Sequence, residues 1–225
     1  MLERISNTWT PNNWQRTEQM IIDVMQHDAR VGLGSIADWA AANDVELRVH
    51  RLDEGEDIRA LNPADMDGLL VLGGFNSVND DETWLAAERI IIRSLDKLGR
   101  PVFGICLGAQ QIVRAFGAPV FKKDRDFGFG QVTDITAGTQ FTAMNWHSDY
   151  MSELPGATQL YTSTKTPNQG FKYHAHIMGL QFHLEVTPAM VQDWAELAQV
   201  SVDDSDVDYA AMHGRLAELL TATFL

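Results

Sequence analysis

The chain has 225 residues, 45% of them hydrophobic, with a formal net charge of −14. That allows one large α/β domain or two small ones with a full core, while the acidic balance argues against a broad basic face for nucleic acid. One cysteine excludes an internal disulfide and a cysteine-rich zinc site; with no apolar run near the roughly 18 residues of a membrane span and no basic-then-apolar leader, a cytoplasmic protein with no membrane contact is predicted.

Residues 1–19 are polar, rich in Asn, Thr and Trp, and lack a clean period. They read as an N-terminal extension in which Trp9 and Trp14 pack on this chain or on a partner. Residues 20–26 suit a buried first strand, followed by His27 and Asp28 at its C-terminal end. Residues 35–43 then read as a helix capped by Ser35, and 45–51 as a second strand. After a connector over 61–67, in which Pro63 opens a turn, 68–72 is a strongly apolar third strand. It ends in Gly73-Gly74-Phe75-Asn76-Ser77, where glycines let backbone N–H groups face a bound group; an ordinary tight turn is the plainer reading of that stretch alone. A long helix over 80–98 is ended by Gly99.

Residues 101–111 organise the rest. An apolar strand, 101–105, runs into Cys106 between Gly104 and Gly108, and a helix over 107–116 stops at Gly117 and Pro119. Strand, sharp turn, helix is the geometry of a nucleophile elbow. It needs small neighbours because the turn residue is strained, and it sets the sulfur at a helix N-terminus, whose positive end favours an anion. A lone cysteine is more often a small buried hydrophobe; the flanking glycines at the junction reverse that preference. From 120 to 180 the character changes to short β-like runs at 131–136, 140–144 and 159–163, read as hairpins, with Trp146-His147-Ser148-Asp149 in a loop after one of them. Residues 177–182 form another buried strand. Thr187 and Pro188 open a helix as cap and first-turn proline, the four aspartates of 203–208 form a solvated loop, and a last helix covers about 208–221.

Strands alternating with helices predict an α/β fold: a mainly parallel central sheet covered by helices on both faces, with a smaller antiparallel section. No composition break or repeat divides residues 20–225, so they are read as one domain. In such sheets ligands bind at the C-terminal ends of strands, where Gly73-Gly74 and Cys106 both fall. His183 and Glu185 follow the 177–182 strand. In a continuing strand positions i and i+2 share a face, so the carboxylate would sit beside the imidazole and set its tautomer.

Taken together, Gly-Ile-Cys106-Leu-Gly-Ala-Gln110, the upstream Gly73-Gly74 and the downstream Gln181-Phe-His183-Leu-Glu185 resemble the class I (triad) glutamine amidotransferases, a flavodoxin-like fold. The Trp146–Asp149 segment and Asn168-Gln169-Gly170-Phe171 are most similar to the glutaminase domain of GMP synthase and its stand-alone relatives. The resemblance implies that Cys106 attacks the side-chain amide of glutamine, His183 moves the proton and Glu185 orients it. The N–H groups of Gly74 and Leu107 would hold the oxyanion, while Gly73, Gln110, Ser148 and Asp149 contact substrate. A γ-glutamyl thioester would be hydrolysed by water and ammonia passed to a partner synthetase chain or another acceptor, with no cofactor. A γ-glutamyl peptidase using the same triad, and a non-catalytic regulatory relative, are the competing readings. Three positions depart from the family pattern: Phe75 follows the glycine pair where proline is usual, Leu184 separates His183 from Glu185 where proline is usual, and Asp126-Phe127-Gly128 stands for Glu-x-Gly. No phosphate-binding Gly-x-x-x-x-Gly-Lys loop of a synthetase occurs.

Among the other histidines, His147 suits either ordering of the substrate loop or a structural hydrogen bond, and His27 either lines the cleft or packs in its loop. His174 and His176 have strand spacing but no third ligand nearby in sequence, so no metal is expected. His50 and His213 carry no signal.

Overall fold

The computed structural model describes residues 19–225; the expectations for Trp9, Trp14 and the rest of the extension to residue 18 lie outside the described residues. The strands are β1 (Met20–Gln26), β2 (Val45–Arg51), β3 (Gly68–Val71), β4 (Val102–Ile105), β5 (Val120–Asp134), β6 (Thr139–Met151), β7 (Thr158–Thr162), β8 (Gly170–Tyr173) and β9 (Ile177–Leu180). The helices are α1 (Ile36–Ala42), α2 (Thr83–Leu98), α3 (Leu107–Ala115), α4 (Pro188–Ala198) and α5 (Tyr209–Phe224). One continuous sheet runs β2-β1-β3-β4-β9-β8-β7-β5-β6. Its first five strands are parallel; the other four are joined antiparallel. The sheet is therefore mixed, a parallel half carrying an antiparallel wing.

Period-two alternation distributes the core. Leu70 and Leu72 join Phe103, Ile105 and Leu180 on the face covered by α1, α4 and α5. Leu69 and Val71 join Val102 and Ile177 under α2 and α3. Runs apolar at every position, such as Gly68–Val71, are buried on both faces, as strands inside a doubly covered parallel sheet must be.

Three local expectations are corrected and one strand is added. Trp146-His147-Ser148-Asp149 lies within β6 rather than in a loop, paired with β5 so that Phe127 faces Trp146 and Asp126 faces His147. Polar residues conceal this strand because they point into a pocket, and a register shift between Lys122 and Asp126 breaks the pattern of β5. Ser35 does not cap α1: it has helical φ and ψ, its hydroxyl caps nothing, and its backbone N–H donates to Glu185 O at 2.9 Å. Helix α2 starts at Thr83 rather than 80, because the Asp80 carboxylate is engaged with the Ser77 N–H at 2.7 Å. Strand β8, which contains Gly170 and Phe171, is an addition that fills the gap between β7 and β9.

Candidate active site

The parallel half brings its strand ends together at Cys106. The residue occupies φ 51°, ψ −107°, a conformation sparsely populated by any residue with a Cβ. The neighbouring glycines permit it. A Cβ on Gly104 would lie 2.6 Å from the carbonyl carbon of Gly108, and one on Gly108 would lie 2.0 Å from Val71 O. Helix α3 can rest on β3 and β4 only without those atoms. The Cys106 N–H donates to Leu180 O at 2.7 Å, tying the turn to β9.

His183 does not lie in a continuing strand. β9 ends at Leu180, and the chain is recaptured by a bridge to β6, with the His183 N–H on Met144 O at 2.8 Å and the Met144 N–H on His183 O at 3.1 Å. This still sets His183 and Glu185 side by side, Nδ1 to Oε1 2.6 Å, both buried. The Cys106 thiol donates to Trp146 O at 3.8 Å and accepts from Gln181 Nε2 at 3.9 Å, and its side chain also acts on the His183 ring. Burial opposes charge on His183, but the Glu185 carboxylate and the bonds from Cys106 and Glu185 outweigh it, and the imidazole is pushed up to about 10. Gly73 is the floor: a Cβ there would lie 2.9 Å from His183 Cε1 and 3.6 Å from Cys106 Cβ.

A cavity of about 220 Å³ opens above the sulfur, lined by Gly74, Ser77, Cys106, Gln110, Ser148 and Asp149 among others. It is smaller than the roughly 300–1,000 Å³ of drug-sized sites, a scale suited to one amino acid. Gln110 Nε2 donates to Asp149 O at 3.0 Å and to Gln181 Oε1 at 3.4 Å, tying α3 to β6, and the Ser77 hydroxyl donates to the Asp149 carboxylate. His183 and Glu185 sit behind Cys106, with Leu107 on the first turn of α3 against Gly74. His147 lines the cavity. Burial holds it at about 4, and neither ring nitrogen has a well-aligned partner, the Asp149 backbone being a nearby contact.

Several supporting contacts are not evident from the sequence. Trp194, from α4, sets its ring 4.9 Å from that of His183 and donates from Nε1 to Arg30 O at 2.8 Å. Phe127 stacks on Trp146 at 4.2 Å, and Asp126 is held by Lys165 Nζ at 3.1 Å and Thr166 Oγ1 at 3.3 Å. Gly34, at φ +50°, lets the loop after β1 press on Glu185, whose carbonyl oxygen would lie 2.0 Å from a Cβ there. In the sequence Gly34 stands only as a loop glycine before Ser35. Away from the site, Asp96 supplies the neighbour that His174 and His176 lack in sequence, with Oδ1 2.7 Å from His174 Nδ1 and 3.2 Å from His176 Nε2. Ligand atoms of the three residues lie within 4.8 Å of one another, in a partly exposed cluster.

The family described as glutamine amidotransferase class-I matches residues 33–193, and the chain belongs to that family. It is 32% identical over 151 residues to a GMP synthase [glutamine-hydrolyzing] of Listeria innocua, covering 63% of this chain and 27% of that protein, so it spans about a quarter of the length of that relative. It is 27% identical over 171 residues to gamma-glutamyl peptidase 5 of Arabidopsis thaliana, covering 63% of this chain and 68% of that one. In fold it is similar to a crystal structure of a glutamine amido transferase from Methylobacillus flagellatus, with a TM-score of 0.82 at 24% identity over 92% of this chain and 94% of that one. No helix among the described residues is long and apolar enough to cross a membrane.

Proposed function

We propose that residues 20–225 act as one glutaminase domain that hydrolyses the side-chain amide of glutamine. With its proton already resting on His183, Cys106 attacks the amide carbon as a thiolate, forming a tetrahedral oxyanion held by the N–H groups of Gly74 and Leu107. Each such donor typically supplies about 2.7–4 kcal/mol. His183 returns the proton to the leaving nitrogen, ammonia departs, and a γ-glutamyl thioester remains. Water, deprotonated by His183, cleaves it to glutamate and free Cys106. Glu185 keeps the imidazole in the needed tautomer. Gly73, Gln110, Ser148 and Asp149 shape the pocket for the amino-acid end, and ammonia passes to a partner synthetase or another acceptor. One observation carries this reading: a buried imidazole, held by a carboxylate at 2.6 Å, set beside the cysteine of a strained elbow. The test is Cys106→Ser. Ammonia release from glutamine should vanish while the fold survives; release that persists rejects the assignment.

A second reading keeps the triad and changes the substrate to a γ-glutamyl amide other than glutamine. Its support is the likeness to a γ-glutamyl peptidase over 68% of that protein's length, against 27% of the GMP synthase. Turnover of free glutamine compared with that of γ-glutamyl dipeptides separates the two.

A further inference from the structure

His27 and Glu88 have fully buried side chains, and the chemistry proposed above uses neither. His27 follows β1; Glu88 lies on α2. His27 Nε2 is 2.8 Å from Glu88 Oε1, and Nδ1 is 3.1 Å from Gly73 O. A carbonyl oxygen only accepts, so Nδ1 carries a proton. Glu88 also accepts on its other oxygen, from Gln111 Nε2 at 2.6 Å, so the ring donates from both nitrogens to two acceptors. Burial alone would discharge the imidazole; the Glu88 charge and bond, with the Gly73 carbonyl, reverse this and raise its pKa. The network continues outward, with Arg89 Nε donating to Gln111 Oε1 at 2.7 Å. Trp84 covers His27 at 4.8 Å between ring centres. A buried ion pair is costly to maintain, and here it ends on the glycine loop beneath the pocket.

The peptide unit explains what the pair does. In a planar trans peptide the C=O of one residue and the N–H of the next point in opposite directions, and no cis bond occurs among the described residues. Holding Gly73 O against His27 therefore turns the Gly74 N–H away from His27. That N–H has no acceptor among the described residues, and Gly74 lines the Cys106 cavity. A peptide between two glycines has little of its own to fix its orientation. We propose that His27, braced by Glu88, is a positioning residue that pins the Gly73–Gly74 peptide so that the Gly74 N–H serves as an oxyanion donor. This rests on the assigned role of Cys106.

The test uses the whole chain, with its amide substrate and with iodoacetamide, which alkylates a thiol by displacing iodide and forms no oxyanion. His27→Leu removes both bonds. His27→Asn restores an N–H near the place of Nδ1. Both leave Glu88 without its imidazole and so share that penalty. In His27→Leu, kcat for ammonia release should fall about 10²-fold, the scale of an ångström's misplacement or one lost donor, with KM near that of the parent. His27→Asn should recover about tenfold of the loss, and Cys106 alkylation should stay within about twofold in both. Turnover of His27→Leu within about twofold of the parent, equal losses in the two variants, or alkylation falling in step with turnover would each overturn the pin. If circular dichroism shows His27→Leu unfolded, the pair is compared in a Glu88→Gln background, which buries no unpaired charge. Ammonia release that survives complete alkylation of Cys106 would reject the triad reading itself, and the pin with it.

Discussion

Gly73→Ala puts the packing of the triad to a direct test. Gly73 does not occupy positive φ, so the contacts of the new methyl dominate the outcome. It would lie 2.9 Å from His183 Cε1 and 3.2 Å from Val31 Cγ1, whereas carbon atoms rest at about 3.5–4.0 Å. The ring must therefore retreat by roughly 0.6–1 Å. It has little room: Trp194 stands 4.9 Å away edge-on, and Nδ1 is anchored to Glu185 at 2.6 Å. Overpacking of this kind costs about 1–3 kcal/mol of stability, which leaves most of a typical domain's stability in place. Displacing a proton-transfer group by about 1 Å costs about 10²-fold in rate. Ammonia release, followed by coupling to glutamate dehydrogenase, should fall by about that factor, with urea midpoints confirming a folded chain. Parental turnover in folded Gly73→Ala would refute the placement of His183 over Gly73.

Glu185→Gln keeps the side-chain shape but replaces the carboxylate that meets His183 Nδ1 at 2.6 Å. Steady-state kinetics should show kcat lower by about 10²–10⁴-fold, the range expected when a triad loses its orienting anion. His147, held at about 4 by burial, binds its proton less readily folded than unfolded. Its contribution is therefore intact above the unfolded value of about 6.5 and is lost as pH falls towards 4, at up to about 1.4 kcal/mol per pH unit. Urea titrations at pH 7 and 5 should show this acid-side loss in the parent and its absence in His147→Phe. Gly214 lies inside α5 with nothing within 4 Å of a built Cβ. Gly214→Ala should raise stability by about 1 kcal/mol and Tm by about 2–4 °C, measured by calorimetry.

The elements that agree most closely with the sequence are those whose causes are local. The bounds of β1 and β2 are those read from the sequence, 20–26 and 45–51. Thr187 caps α4 by accepting the Met190 N–H, with Pro188 in the first turn, and Gly99 ends α2 at φ 66°. The elbow was legible for the same reason, since Gly104, Cys106 and Gly108 lie within five residues of one another. Ser35 failed as a cap because its backbone is already helical, φ −67° and ψ −9°, whereas a capping hydroxyl needs an extended backbone to reach the first free N–H groups. The Trp146–Asp149 segment was mistaken for a loop because its strand character comes from pairing with β5, and its polar side chains serve a cavity rather than the core.

Chain order and short-range chemistry were thus enough to establish the α/β class, the elbow and the three groups proposed to react. Tertiary packing alone decided how those groups are held: His183 recaptured by β6 after its strand has ended, Trp194 set against its ring, and His27 with Glu88 beneath Gly73. These partners are separated by as many as 61 residues in the His27–Glu88 pair and 164 in the Trp194–Arg30 bond. No local pattern encodes such meetings, because their free energy arises only when the packed sheet removes both partners from water and their polar atoms must satisfy one another.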